Sequence, residues 1–578
     1  MEMMVLTRMK RGSLFDHRVV LVGISLIPVA ALVLLVSVVL WMSFRQTGGV
    51  SASYSLDAYR QLFGDAFTYK TLLNTGIFSL VTLAVALLFG VPAAWLVERT
   101  DLQPKEIPQT LMILGLLTPS FLSAMGWVFL LNPRIGILNT LITSIPGMEW
   151  ARINVAAVPW MGVIQGLGLA NVAFVMVSPT FRVMNPAFEE AAKVHGLTFF
   201  RILRKVTLRL AYPGILAAAI FIFMSAVAAF DIPAVIGLSN RVFTFSTLLY
   251  IQVQPLDGLP RYDLAGASAV LMIGISLLFL WWYFHTLKWG HRYAVITGQS
   301  YRPRQVELGG WKVWAWVFLG TYFLLGQILP LSVLVWNSLL LYPQVPSLSS
   351  LSQVSLANFR ALSIPQLLIG ARNTFILAVS VPTLTLLFSV ALSWVVVRSK
   401  LRGRFVFDIF SFLPHAVPHI IFAISAAYVS IFFLRSFLPV YGTIYILLGV
   451  YVLVWISFAT RNLNTALIQI HRELEEAAAV SGISLFRILW KILLPLLGPA
   501  LINTWLWVAL LAYRELTMAS ILATTRNLTL PATMWGLWLS GFYPKAAAVA
   551  TLAVIVMIPL VFLYWFVGRR ILAMERIS

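Results

Sequence analysis

Two stretches of this chain, FEEAAKVHGLTFFRILRKVTLRLAYPG from Phe188 and LEEAAAVSGISLFRILWKILLPLLGPA from Leu474, set acids, a glycine and bases at matching intervals. Each pattern predicts a helix, a turn and a second helix. Asn185-Pro186 suits a helix start, with Glu189 and Glu190 in the first turn, where unpaired N–H groups favour acids. Ala191 and Ala192, like Ala477 and Ala478, are small enough to let another backbone come close. Gly196 and Gly482 follow Glu190 and Glu476 by six residues, where a short helix should stop and turn. Beyond the turn, Phe200, Ile202 and Leu203 make an apolar side and Arg201, Arg204 and Lys205 a basic one; Arg487 takes the place of Arg201 in the second copy. The product is a knob with apolar and charged surfaces. Glu190 and Glu476 could cap their own helices, pair with basic residues of a partner, or do both.

Other ionisable residues lie in apolar surroundings, where a charge is costly unless it faces protein or water. Asp231, Arg514 and Glu515 fall near the outer ends of two long apolar runs, and Asp408 near the start of another. Two readings stand side by side: a polar point on a solute pathway or its outer gate, or an interhelical salt bridge through Arg514. His415 and His419 are four apart, a spacing at which two imidazoles on one helix could share a metal, but Pro418 intervenes. Packing histidines are the plainer reading, and no metal site is assigned. Spacing supports no Ser/His/Asp set and no carboxylate pair for glycoside chemistry, there is no phosphate loop of the form G-x-x-x-x-G-K-[S/T], and cysteine is absent. No catalytic residue is named, and the chain is expected to be no enzyme by itself.

The elements that must position these residues follow from composition. Of 578 residues, 60% are hydrophobic and 11% charged, against about 25% charged in soluble domains, which excludes a soluble enzyme. A spanning helix needs about 20 apolar residues. Twelve runs qualify: Val19 to Phe44, Thr75 to Val97, Thr110 to Leu131, Val155 to Thr180, Ala211 to Gly237, Leu264 to Phe284, Trp314 to Leu340, Thr374 to Val397, Val406 to Phe433, Tyr441 to Ala459, Ala500 to Leu522 and Ala546 to Val567. An even number places both termini on one side. Of the 41 Lys and Arg, 28 fall in the termini and alternate loops, so that side is expected to be the cytoplasm. The formal charge of +21 is then a matter of orientation, and no nucleic acid is called for. The opening bases Arg8, Lys10, Arg11 and Arg18 precede a run too long for a signal peptide, so it is expected to be a retained first span. The 38 Phe and 20 Trp are expected to face lipid and its interfaces.

The chain repeats itself. Asn74 to Leu102 aligns without gaps to Asn373 to Leu401 with 11 identities in 29 positions, among them Asn74/Asn373, Trp95/Trp394 and Arg99/Arg398. Phe188 to Pro213 aligns to Leu474 to Pro499 with 14 identities in 26, and smaller echoes pair Pro119 with Pro414 and Asp231 with Glu515. Six spans per half, in the same order, make a parallel repeat about a pseudo-two-fold axis along the membrane normal. The expected fold is an all-α polytopic membrane protein with about 12 transmembrane helices as two six-helix repeats. Residues 1–285 form the first half, 286–310 a polar cytoplasmic linker, and 311–578 the second half.

At the two loops the chain resembles the inner-membrane permeases of bacterial binding-protein-dependent ABC importers. Their signature is Glu-Ala-Ala, three residues, Gly, nine residues, then Ile-x-Leu-Pro. The second copy matches at Glu476, Ala477, Ala478, Gly482, Ile492, Leu494 and Pro495. The first matches at Glu190, Ala191, Ala192, Gly196 and Leu208, with Val206 for Ile and Arg209 for Pro, a departure that bears on the exit angle of that loop. The resemblance implies that each loop is a coupling helix docking in a cytoplasmic ATPase subunit, over Glu190 to Arg204 and Glu476 to Trp490. It implies two such ATPases, which bind the ATP and Mg, so that this chain carries no cofactor of its own. It further implies an extracytoplasmic solute-binding protein and a bacterial inner-membrane location. Fused duplicated permeases resemble most the ferric-iron group, with thiamine and phosphonate importers as alternatives. An ion-coupled secondary transporter working through Asp231 and Glu515 is the rival from another class; it gives no reason for two docking motifs. A membrane-embedded enzyme would need a catalytic cluster that the spacing does not supply.

Overall fold

A chain surrounded by hydrocarbon must pair its backbone with itself, and every named element among the described residues is helical. The computed structural model describes residues 2–46, 53–133, 136–255, 258–290 and 305–575. The first half runs through α1 (Glu2–Ser43), α2 (Ala66–Arg99), α3 (Glu106–Leu117), α4 (Ser120–Leu131), α5 (Val158–Arg182), α6 (Ala187–Val194), α7 (Phe199–Ala228), α8 (Phe245–Val253) and α9 (Tyr262–Gly290). The second runs through α10 (Gly309–Ser338), α11 (Ile364–Arg398), α12 (Arg404–Ala416), α13 (His419–Phe433), α14 (Ile444–Gln469), α15 (Arg472–Val480), α16 (Leu485–Leu496), α17 (Gly498–Tyr513), α18 (Thr517–Leu522), α19 (Leu530–Leu539) and α20 (Tyr543–Glu575). Among the described residues, eight helices are long and apolar enough to cross a membrane, or up to 12 spans if each of four bent pairs counts as one. The all-α polytopic fold expected from composition is the fold observed.

The bends are where hydropathy misleads. The run expected from Thr110 to Leu131 is two helices, α3 and α4, meeting at 95°, and that from Val406 to Phe433 is α12 and α13, meeting at 103°. Proline disfavours a helical conformation in the residue before it: Thr118 before Pro119 and Val417 before Pro418 are both extended, with ψ of 124° and 132°. Pro119 therefore corresponds to Pro418. The pairing with Pro414 suggested by the sequence is one turn out, since Pro414 lies inside α12.

The fifth spans of the two halves, expected to reach Gly237 and Leu522, stop at Ala228 and Tyr513. Each half then folds back, through Pro233–Asn240 and α8 at 69° in the first and through α18 and α19 in the second. Asp231, Arg514 and Glu515 stand just past the stops, but the runs around them stay apolar on average, so hydropathy over a span-length window does not mark the break. The two repeated loops also leave at different angles. In the first copy α7 runs on unbroken from Phe199, whereas α16 and α17 bend by 74°. The bend falls where Pro495 and Gly498 replace Arg209 and Tyr212; with Pro499 they remove two ladder N–H groups four residues apart, while α7 tolerates Pro213 alone.

Each half lends its first helix to the other. α1 packs on α11, α12 and α13, and Ser425 Oγ donates to the Leu35 carbonyl at 2.7 Å. Reciprocally, α10 packs on α4, and Tyr322 Oη bonds the Leu167 carbonyl and Asn171 Oδ1 at 3.0 and 2.8 Å. Of the expected linker, residues 291–304 lie outside those described. Its end is fastened to the C-terminus of α2: Val306 N–H donates to the Arg99 carbonyl (2.8 Å), and Asp101 N–H to the Val306 carbonyl (3.1 Å). Asp101 Oδ1 accepts from Leu308 N–H at 2.9 Å and Oδ2 faces Lys312 Nζ at 2.7 Å. Lys312, and then the Leu308 N–H, hold the Asp101 carboxyl below its ordinary range. This contact is complete above that range and is lost as pH falls through the lowered value.

Within the first half, α2 and α5 approach closely through small residues, the usual device between helices in lipid. A Cβ on Gly90 would stand 2.4 Å from Ala173 Cβ and 2.6 Å from the Ala170 carbonyl oxygen, whereas one on Gly76 of the same helix meets nothing within 4 Å. Gly90→Val should therefore lower the thermal midpoint of the detergent-solubilised protein, by an overpacking cost of about 1–3 kcal/mol. Gly76→Val should lower it far less; equal shifts for the two would show that the α2–α5 contact is looser than described.

Candidate functional site

The knobs take the predicted form. Asn185 Oδ1 accepts from Ala187 N–H at 2.9 Å and so opens α6; Gly196 and Gly482 turn the chain with φ of +76° and +78°, values at which any other residue is strained. Glu190, Ala191, Arg201, Glu476, Ala477, Arg487 and Pro495 are exposed, while Ala192 and Ala478 face inward. The tips are apolar and bare: Val194 is 86% exposed, its counterpart Val480 90%, and Phe200 and Phe486 project beside them. Spacing alone did not single out the two valines. Their identity in both copies was the available signal.

The glutamates divide their work. Glu189 and Glu475, the first of each Glu-Glu pair, turn inward. Arg99, wholly buried at the end of α2, bonds the Glu189 carboxylate and the Met184 carbonyl. Glu189 also accepts from Thr207 Oγ1 at 2.6 Å, so one carboxylate ties α2, the knob and the base of α7. In the second half Arg398 Nε lies 2.6 Å from Glu475 Oε1, and its Nη2 bonds the Leu467 and Ile470 carbonyls at 2.9 and 2.6 Å. Burial pushes the Glu475 carboxyl up from its ordinary value, and Arg398 pulls against it. Removing one member of a buried pair of this kind costs ~3–5 kcal/mol. Trp95 and Trp394 complete the support: Trp95 stacks at 5.8 Å on Phe199, and Trp394 packs with Leu485, Ile488 and Leu489 under the second knob.

The intramembrane ionic residues form one group at the seam between halves. They lie beyond the ends of α7 and α17, not inside a straight span as expected. Asp231 accepts from Ser120 Oγ at 2.5 Å within its own half and from Thr517 Oγ1 at 3.1 Å across the seam. Arg514 reaches across to the Leu116 and Thr118 carbonyls at 2.7 and 3.3 Å. These are the carbonyls that the break after α3 leaves free, at the end of a helix where the dipole favours a cation. The expected salt bridge is thus chiefly a cap on a broken helix. Glu515 Oε1 accepts from Met518 N–H at 3.1 Å, and Oε2 lies 4.0 Å from His419 Nδ1. Ser120 beside Pro119 and His419 beside Pro418 hold equivalent places, each facing its own half's acid.

The seam is also aromatic. Trp538 Nε1 donates to the Val235 carbonyl at 3.1 Å, and Trp535 Nε1 to Tyr250 Oη at 3.4 Å. Both tryptophans are buried, against the expectation that Trp would face lipid. Beside Arg514 a crevice lined by Pro119, Tyr513, Pro531 and Met534 holds about 10 Å³, the lower limit for one water. Of the remaining candidates, His419 borders this group through Glu515. Asp408 pairs with Arg461 at 3.2 Å on the surface. His415 stacks on Phe221 at 5.0 Å, and His419 meets Trp455 edge-on at 5.0 Å. The bend before α13 puts His415 and His419 on different helices, so the one-helix spacing that suggested a shared metal does not apply.

Arg514→Leu strips two buried carbonyls of their donor and leaves Asp231 without its nearby cation. It should destabilise the solubilised protein by about 3–5 kcal/mol, read by thermal unfolding, and Asp231→Asn in the same chain should recover part of the loss. An additive double mutant would dissociate the two residues.

A family model described as the inner membrane component of binding-protein-dependent transport systems matches residues 86–286 and again residues 385–572. The ferric transport system permease protein FbpB of Actinobacillus pleuropneumoniae is 24% identical over 525 residues, 88% of this chain and 72% of that protein. The Fe(3+)-transport system permease protein FbpB 2 of Haemophilus influenzae is 22% identical over 84% of this chain and 87% of its own length. The sulfate transport system permease protein CysT of Salmonella typhimurium is 27% identical over 44% of this chain and 84% of its own. With a match in each half and a coupling-loop motif in each match, the chain belongs to the family of inner-membrane components of binding-protein-dependent transport systems, the permeases of ABC importers.

Proposed function

We propose that this single chain supplies both permease halves, residues 1–285 and 311–578, of an importer for ferric iron. An extracytoplasmic binding protein delivers the cargo, two cytoplasmic ATPases grip one knob each, and both termini face the cytoplasm. The observation that carries this reading is the matched pair of bare apolar tips, Val194 and Val480, each beside an exposed acid, Glu190 and Glu476. Exposed apolar residues rimmed by charge mark a surface kept for a partner, and two equivalent copies call for two equivalent partners. ATP and Mg belong to those partners. Asp231, Arg514 and Glu515 stand in the closed gate between the halves. The cargo follows the ferric permeases, which align over most of the chain, in preference to the sulfate permease, which aligns over less than half of it.

Vesicles containing the chain, its ATPases and its binding protein should take up ferric iron only with ATP inside, and should continue after the ion gradient is collapsed. Sulfate should neither be carried nor compete. Uptake that follows the ion gradient and ignores ATP would overturn the importer reading; sulfate uptake would overturn the cargo. Gly482→Pro, which cannot adopt the positive φ of the turn, Glu476→Lys and Val480→Asp should each cut uptake by at least about tenfold, a loss of ~1.4 kcal/mol in coupling, while membrane insertion is retained.

A further inference from the structure

Three residues that the repeat preserves in α2 and α11 are unexplained by docking: Asn74/Asn373, Trp95/Trp394 and Arg99/Arg398. The tryptophans and arginines lie at one end of these helices, against the knobs. The asparagines lie 25 residues earlier, about 37 Å away along a helix. There Asn74 Nδ2 donates to the Phe243 carbonyl at 2.9 Å and Thr75 Oγ1 accepts from Phe245 N–H at 2.8 Å. In the second half Asn373 Nδ2 donates to the Leu528 carbonyl at 2.9 Å and Thr374 Oγ1 accepts from Leu530 N–H at 2.9 Å. Each Asn-Thr pair thus holds the segment that folds back after α7 or α17 at the start of α8 or α19. These segments carry Val235, Tyr250, Trp535 and Trp538, the residues that meet across the seam.

We propose that α2 and α11 are connecting rods: each is fastened to a knob through its buried arginine and to a folded-back segment through its Asn-Thr pair, so that displacement of the knob moves the segment that closes the seam. Each rod is one continuous helix that loses a single ladder N–H at Pro92 or Pro382 and still resists compression along its axis, and both fastenings are polar bonds made by largely buried groups. The proposal rests on the ATPase reading of the knobs. Arg99, Arg398, Asn74 and Asn373 are positioning residues, since none touches the cargo's reacting partner or nucleotide. The halves differ at the knob end. Glu189 has a second bond, from Thr207, whereas the residue equivalent to Thr207 in the second half is Leu493, so the second fastening depends more heavily on its arginine.

The chain contains no cysteine, so spin labels can be placed at will. One pair, Lys205→Cys with Lys491→Cys, reports the knob bases, and another, Ser239→Cys with Thr525→Cys, the folded-back segments; all four positions are exposed. Distances are read in the complex with its ATPases and binding protein, with and without ATP. Both pairs should shift on ATP binding. In Asn74→Leu/Asn373→Leu, and in the milder Thr75→Val/Thr374→Val, the knob shift should persist while the seam shift is lost, with uptake down about tenfold and ATP hydrolysis retained. Arg398→Leu should uncouple more than Arg99→Leu, and Arg398→Lys should recover part of the loss. A seam shift that survives in both Asn and Thr variants overturns the proposal alone. An unsubstituted chain whose knobs do not respond to ATP overturns the ATPase reading and the proposal with it.

Discussion

In hydrocarbon an unpaired N–H or C=O has no water to turn to, and the polar residues of this chain are placed by that constraint. Straight helices satisfy themselves. Where a helix breaks, a side chain must take over, and the breaks at Thr118, after Ala228 and after Tyr513 each have one. Arg514 caps the carbonyls of Leu116 and Thr118, Asn74 and Asn373 take those of Phe243 and Leu528, and Glu515 receives the Met518 N–H. The breaks gather at the seam between halves, so the caps do too. The cluster of charges at the seam is in this sense the consequence of opening helices inside a membrane.

Duplication built the two halves and divergence then made them unequal. Arg99 and Arg398 make the same bonds to Met184 and Ile470 and to the first glutamate of each pair. Around this shared frame Ser120 is replaced by His419 and Asp231 by Glu515. Arg514 comes from the second half to cap a helix of the first. The α16–α17 bend has no counterpart in α7. The exchanged first helices tie the unequal halves together, and the linker end, hydrogen-bonded to Arg99 and Asp101, joins the second half to the base of the first rod. A fused chain can hold such asymmetry because each half always meets the same neighbour.

Sequence alone determined the helical class, the twelve apolar runs, the duplication and the knob with its glycine turn, because each is a local property: a run of side-chain types, or an interval repeated without gaps. Tertiary structure decided which glutamate of each pair faces inward, since Glu189 and Glu190 are indistinguishable until Arg99 arrives from 90 residues earlier in the chain. It decided that Pro418, not Pro414, matches Pro119, and that Trp535 and Trp538 line the seam, because hydropathy scores a buried interface and a lipid-facing surface alike. It also decided where the fifth spans end: Asp231, Arg514 and Glu515 follow Ala228 and Tyr513 within runs that are otherwise largely apolar, and only the partners waiting for the backbone groups make it possible to stop there.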